Sequence, residues 1–351
     1  MRRGGSIRIG NRPPQREQST MARCFDVCNG DADGLCAVVQ WRLEDTRPAE
    51  LVTGLKRDLA LLDRVVDAQA GDEVNVFDLS MQRNRAGLLR LLTRGVHVRY
   101  FDHHASGGLP SHPCLESHVD EASDACTSLL VDAHLGGAHR AWALVGAYGD
   151  NLAAVADRLD FDGGVEPGDR AGLRRLGELI NYNAYGDDER DVCIPPRLLY
   201  PLMARYADPR DMMARESIVE DIDAMRRSDL RQAARATLLW QGPAGRVHML
   251  PDAPWSRRVL GCFANHLATE APGLAHAVLR PGGEGYVASV RAPLAHPQGA
   301  HALCRRFGGA GRARAAGIDS LGAGDLRRFI AAFASTSWSS MPDAPAASEP
   351  S

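Results

Sequence analysis

Three short runs in this chain carry side chains suited to holding a divalent cation. Asn29-Gly30-Asp31-Ala32-Asp33-Gly34 offers two aspartates and an asparagine, Val76-Phe77-Asp78-Leu79-Ser80 offers one aspartate, and Tyr100-Phe101-Asp102-His103-His104 offers a carboxylate and two imidazoles. Each follows an apolar stretch expected to be a strand, and open parallel sheets bind ligands beyond the carboxyl ends of their strands. Four aspartates drawn into one crevice repel one another unless cations neutralise them. Mixed carboxylate and imidazole ligation suits Mn²⁺ or another first-row metal better than Ca²⁺. Two such ions about 3.5–4 Å apart can share a carboxylate and activate a water for in-line attack on phosphorus. Taken singly, each run has a plainer reading. The first is a turn and helix N-cap, Asp78 caps the next helix, and an adjacent histidine pair is an ordinary surface feature. Their recurrence at the same end of successive strand–helix units favours one shared site.

The positioning elements follow from hydrophobic periodicity. Strands are expected at 23–28, 50–53, 73–77 and 96–101, with helices at 34–44, 58–68 and 84–92 between them. That alternation predicts a parallel sheet with crossover helices. Helical segments dominate from 124 to 148 and again over 160–250, including a long stretch at 211–240. Gly242-Pro243 marks a boundary. A helix from 259, strands at 275–279 and 286–291, and a glycine-rich segment predict a smaller α/β unit. The predicted fold class is therefore α/β, with a parallel-sheet domain at 21–160, a helical connector at 161–254 and a C-terminal α/β domain at 255–335. A disordered leader (1–20) and a disordered Ser/Pro/Ala tail (336–351) flank them.

Composition narrows the function classes. Lys+Arg is 41 against Asp+Glu 44, a net charge of −3, which excludes a basic nucleic-acid-coating tail. Lys56 is the sole lysine, which rules out a Walker-type phosphate lysine and leaves Lys56 the one Schiff-base candidate. The cysteines (24, 28, 36, 114, 126, 193, 262 and 304) form no CxxC pair, so neither a disulfide framework nor a zinc knuckle is expected. No apolar stretch approaches the roughly 18 residues of a membrane span, and no signal peptide is visible. A reducing cytoplasm is the expected location.

The runs, in this order, resemble the motifs of the DHH phosphoesterase superfamily, including its RecJ-like and oligoribonuclease-like branches. NGDADG stands as the first motif, VFDLS as the second, FDHHASG as the third and ALVGAYGDN, with Asp150, as the fourth. The segment from Phe307 to Gly317 (FGGAGRARAAG) resembles the glycine signature of the superfamily's associated substrate-binding domain. VASVRAPL resembles the strand that carries its phosphate-binding arginine, here Arg291. The resemblance runs from Arg23 to about Phe333, with little contributed by 160–250. It implies metal ligation by Asp31, Asp33, Asp78, His103 and Asp150, with Asp78 bridging and Asn29 a weak neutral ligand. It further implies that Asp102 orients the ligating histidine, and that His104 contacts the scissile phosphate and assists the leaving oxygen as an acid. Gly308, Gly309 and Gly311 would bring backbone amides to a phosphate, with Arg291 and Arg312 as fork donors.

Two departures stand out. Val27 occupies a position where many superfamily members have a histidine ligand, and Asn29 stands where the RecJ-like branch has an acid, so one metal position is short of charge. Arg312 replaces a frequent histidine. The implied activity is hydrolysis of phosphodiester or phosphomonoester bonds in short oligonucleotides or nucleotides. The implied cofactor is Mn²⁺, as one or two ions, with Mg²⁺ or another divalent metal able to substitute, and no membrane is involved. A single-strand exonuclease is the near alternative, and a catalytically weakened nucleotide- or RNA-binding module is the alternative from another class. A DHH-type pyrophosphatase is disfavoured because its lysine-rich phosphate site is missing.

Overall fold

Alternating side chains divide the first five strands between two cores. β1 (Cys24–Cys28), β2 (Glu50–Thr53), β3 (Glu73–Phe77), β4 (His97–Asp102) and β5 (Leu115–Val119) form an all-parallel sheet in the order β2-β1-β3-β4-β5. The structure, a computed structural model, describes residues 22–161 and 167–338. The expected leader and residues 339–351 of the expected tail lie outside them. Phe25, Val27, Val74, Val76, Val98 and Tyr100 point to one face of the sheet, where α2 (Arg85–Thr93) packs. Cys28, Phe77 and Phe101 point to the other face. Burial on both faces is what parallel sheets require.

α1 (Ala32–Glu44) lies on that second face and is buried on nearly every side, so it lacks the one-sided apolar stripe of a surface helix. Behind it stack α3 (Thr127–His134), α4 (Arg140–Gly149) and α6 (Pro167–Asn183), with α5 (Ala153–Phe161) beside α4. α7 (Pro196–Met203), α8 (Pro209–Arg215) and α9 (Ile218–Ala233) complete this core. Thus the expected connector is two things. Its helices share the first core, through Leu173, Leu176, Ile180, Met203 and Ile222 among others. Its end, expected to be helical, is a hairpin of β6 (Thr237–Gly242) and β7 (Gly245–Met249) that joins the second sheet. Gly242-Pro243, read as a boundary, opens the turn of that hairpin.

The second sheet also contains β8 (Ala275–Gly282), β9 (Gly285–Arg291), β10 (Ala310–Gly311) and β11 (Ala315–Gly322). Its order is β10-β11-β9-β8-β7-β6, with only the β7–β8 pair parallel. α10 (Pro254–Glu270), α11 (Ala300–Arg305) and α12 (Leu326–Ser335) pack on it. Trp338, expected in a disordered tail, is buried against Phe333.

One further expectation fails for a tertiary reason. Only Leu61–Arg64 of the predicted helix 58–68 is helical, as a single 3₁₀ turn. Asn84 accepts from the Leu62 amide and donates to the Leu59 carbonyl, taking backbone groups that a continuous helix would have used. His118 sits in β5 and stacks on Phe101 with ring centroids 4.4 Å apart.

A buried polar network ties the two units together. The Arg258 guanidinium on α10 donates to both Asp229 oxygens at 2.7 and 3.0 Å and to the Tyr182 hydroxyl at 3.1 Å. It also reaches the Asp191 carbonyl. Arg258→Met would leave the Asp229 carboxylate buried and unpaired, which costs about 3–5 kcal/mol. Urea unfolding should report that loss; a change under about 1 kcal/mol would mean that the pair is solvated.

Candidate metal and phosphate site

The strand order reverses between β1 and β3, and such a switch point opens a crevice at the strands' carboxyl ends. Asp31 follows β1, Asp78 follows β3, and His103 and His104 follow β4. Asp31 is the N-cap of α1, accepting from the Gly34 amide at 3.1 Å. A Cβ on Gly34 would collide with the Asn29 carbonyl, so glycine is what allows the helix to start directly beneath the loop.

Asp78 is the hub. It adopts a left-handed backbone, φ 58°, and among the described non-glycine residues only Asn151, next to Asp150, shares a positive φ, at 61°. Such conformations concentrate where surrounding structure holds a functional group in place. Asp78 Oδ1 lies 3.3 Å from His103 Nε2, 3.7 Å from His104 Nδ1 and 3.4 Å from the Thr127 hydroxyl. Asp78, His103 and His104 together meet the spacing of a metal-binding group. His103 Nε2 is also 3.7 Å from Asp33 Oδ2.

The electrostatics are those of crowded anions. Burial and the charges of Asp31 and Asp33 push the Asp78 carboxyl well above the usual range. Burial also raises Asp150, helped by Asp33 and Asp31 against the opposing charge of Lys56. Burial would lower His103, but its bond to Asp78 and the fields of Asp78, Asp33 and Asp150 lift it to about 10. Asp31 goes the other way. Burial raises it, but the Lys56 ammonium and the Gly34 amide outweigh burial, so it stays ionised. The Asp150 Oδ2 atom is buried without a hydrogen bond. A buried carboxylate oxygen without a hydrogen bond, beside carboxyls that burial and mutual repulsion shift upwards, fits a bound divalent cation.

Several expected roles change. Asp102 does not orient His103: its Oδ1 bonds His104 Nδ1 at 2.8 Å. His103 is 7% exposed and faces Asp33 and Asp78, whereas His104 is 46% exposed, so the first lies among the carboxylates and the second on the solvent side. Asn29 Oδ1 accepts from the Asp31 amide at 3.1 Å, so this side chain shapes the loop. Asp33 accepts from the amides of Thr127 and Ser128, both at 2.8 Å, and thereby caps α3 as well as facing His103.

The glycine signature is also built differently. The Gly308 and Gly309 amides donate to Arg305 and Cys304 carbonyls, ending α11, so they are not free to cradle a phosphate. Gly311 pairs with Ala316 in the β10–β11 hairpin. The hairpin tip crosses to the first unit, where Arg312 stands 3.5 Å from Asp150 Oδ2 and Arg314 donates to the Asn151 carbonyl at 2.9 Å. A cleft of about 410 Å³ opens there, lined by Asp124, Asn151, Arg158, Arg312 and Arg314. Arg291 donates to Asn265 at 2.6 Å, and Asn265 reaches Asn151 at 3.5 Å.

Sequence reasoning missed Arg314, Thr127 and Lys56. Arg314 was legible only as a second arginine in the glycine signature. Lys56 was legible as the single lysine, yet nothing local ties it to Asp31. Of the tyrosines in 181–185, Tyr182 belongs to the buried Arg258 network and Tyr185 lies beside Lys56.

The fold and this crevice define the class. No family model and no curated protein matches the sequence. Solved structures do share its architecture. The DHH domain of a protein described as a member of a family of ribosomal proteins superposes with a TM-score of 0.61 at 13% identity, over 89% of this chain and 86% of that one. RecJ from Thermus thermophilus, in complex with Mn²⁺, gives 0.59 at 18% identity over 89% of this chain, which spans 51% of that protein. An exonuclease RecJ bound to manganese gives 0.52 at 17% identity, over 89% of each. The chain therefore has the DHH-domain fold. No described helix is long and apolar enough to cross a membrane.

Proposed function

We propose that this protein is a metal-dependent phosphoesterase acting on phosphodiester or phosphomonoester bonds of short oligonucleotides or nucleotides in the cytoplasm. The observation that carries the reading is the approach of Arg312 and Arg314 to Asp150 and Asn151, which sets phosphate-binding forks beside the carboxylate–imidazole cluster. Catalysis falls to the five-stranded unit and substrate grip to the six-stranded unit, whose sheet begins at β6.

Asp78 and His103 would hold the cation, with Asp33 and Asp150 beside them, and this donor set suits Mn²⁺. When bound, a divalent cation polarises the phosphate and supplies a nucleophilic water near neutral pH. Asp102 holds His104 by Nδ1, which leaves Nε2 to donate a proton to the leaving oxygen. Arg312 and Arg314 orient the phosphate and exclude alternative poses. Each replaced by alanine should raise KM about 10- to 100-fold with kcat little changed, since a charge-assisted hydrogen bond contributes about 1.5–3 kcal/mol. Equal losses in kcat would instead place these arginines on the reacting phosphate.

The test is Mn²⁺-dependent release of mononucleotides from a labelled RNA dinucleotide and from a longer single strand, with Asp78→Asn as control. Turnover of the dinucleotide that vanishes in the variant is the expected result. Preference for the long strand would favour the exonuclease alternative. Nucleotide binding without turnover of either would leave the binding-module reading.

A further inference from the structure

Lys56 follows β2, the strand beside β1, so its main chain reaches the same crevice. Its ammonium bonds Asp31 Oδ2. The Asn181 side-chain oxygen accepts from it at 3.2 Å, and the Tyr185 ring centroid lies 5.5 Å away. The Lys56 amide donates to the Ala184 carbonyl at 3.1 Å. The end of α6 thus fixes this lysine, and Asp31 beneath it is nearly fully buried.

The other charges of the crevice are matched in the same way. Arg312 faces Asp150, and His104 is bonded to Asp102. Asp33 and Asp78 are instead the carboxylates that flank His103, whose Nε2 lies 3.7 and 3.3 Å from them. One divalent cation, with His103 as a neutral imidazole ligand, would balance that pair. A second would leave a buried pocket with excess positive charge, an arrangement that is strongly unfavourable in low dielectric. Near Asp31, Asn29 is neutral and engaged and Val27 is apolar, so the neighbouring carboxylate is Asp78, which already faces His103.

We infer that the Lys56 ammonium is a built-in cation that occupies the Asp31 side of the crevice, so that the site takes one divalent metal ion per chain and not two. The inference rests on the metal-site reading above. A consequence is that Asp31 serves Lys56 and the α1 N-terminus while Asp33, Asp78 and His103 serve the metal.

The experiment uses the full chain and Mn²⁺ alone, read by calorimetric titration, metal analysis and electron paramagnetic resonance. The wild type should bind one Mn²⁺ with an isolated-ion signal. Lys56→Met should bind two, with an exchange-coupled signal, and Lys56→Arg should return to one. Asp31→Asn combined with Lys56→Met, which removes the ion pair as a unit, gives a second line of evidence should Lys56→Met fail to fold. It should keep the single ion and lose under about tenfold in affinity, because the pair it removes carries no net charge. Two ions in the wild type, one ion in folded Lys56→Met, or loss of the ion in the double variant would each overturn the inference. Failure of the underlying reading looks different: no Mn²⁺ bound by the wild type, or Mn²⁺ bound equally by Asp78→Asn, removes the metal site itself.

Discussion

Asp78→Asn should lose ~10³-fold in kcat and most of its Mn²⁺ affinity while the metal-free protein stays as stable as the wild type or gains stability. The first half follows from position. Asp78 is the carboxylate that approaches both His103 and His104, at 3.3 and 3.7 Å, and the three side chains together meet the spacing of a metal-binding group. Metal polarisation supplies several kcal/mol of transition-state stabilisation, and each factor of ten corresponds to about 1.4 kcal/mol. The second half follows from electrostatics and backbone. Asp78 is buried among Asp31 and Asp33, whose charges add to burial in raising its pKa, so removing its charge relieves repulsion. Asparagine also tolerates the φ of 58° that position 78 requires. Steady-state kinetics and thermal melts without metal check the two halves. Retention of more than about a tenth of the activity would remove Asp78 from the metal-binding set.

His104→Ala should lower kcat about 10²–10⁴-fold, the usual contribution of a positioned acid. The loss should shrink for a nitrophenyl phosphodiester, whose leaving oxygen needs no proton. The pH dependence isolates the role of Asp102. Burial would lower the His104 pKa, but its bond to Asp102 and the charge of Asp78 outweigh burial and raise it above the usual 6.5. The protonated imidazole therefore persists above pH 6.5, and activity that needs it declines only as pH passes the raised value. In Asp102→Asn the anionic partner is gone, the imidazole loses its proton at lower pH, and the alkaline limb of kcat should move down. A variant with reduced kcat and an unmoved limb would mean that Asp102 acts only on packing.

The parallel sheet and the site's location were legible before the fold. Apolar runs at β1, β3 and β4 each end in Asp or Asp-His-His, and strand–helix alternation brings strand ends to one edge whatever the exact order. The helical reading of 58–68 failed because Asn84, 22 and 25 residues beyond the backbone groups it bonds, takes them out of any helix. β6 was invisible because its hydrogen bonds come from β7, and the end of the connector read as helix without that partner. Both are tertiary overrides of local periodicity.

At the site, residue types set the chemistry and packing set the assignments. That aspartates and histidines would serve metal-assisted phosphate chemistry was readable from their order, whereas the glycine-flanked arginine was readable only through the resemblance to the DHH superfamily. Only the tertiary structure turned Asp102 towards His104, spent the Gly308 and Gly309 amides on a helix end, and placed Lys56 on Asp31. The physical reason is the range of the forces involved. Strand and turn preferences act over a few residues, whereas charge neutralisation pairs groups by distance in space, and Lys56 and Asp31 become neighbours only when β2 lies beside β1.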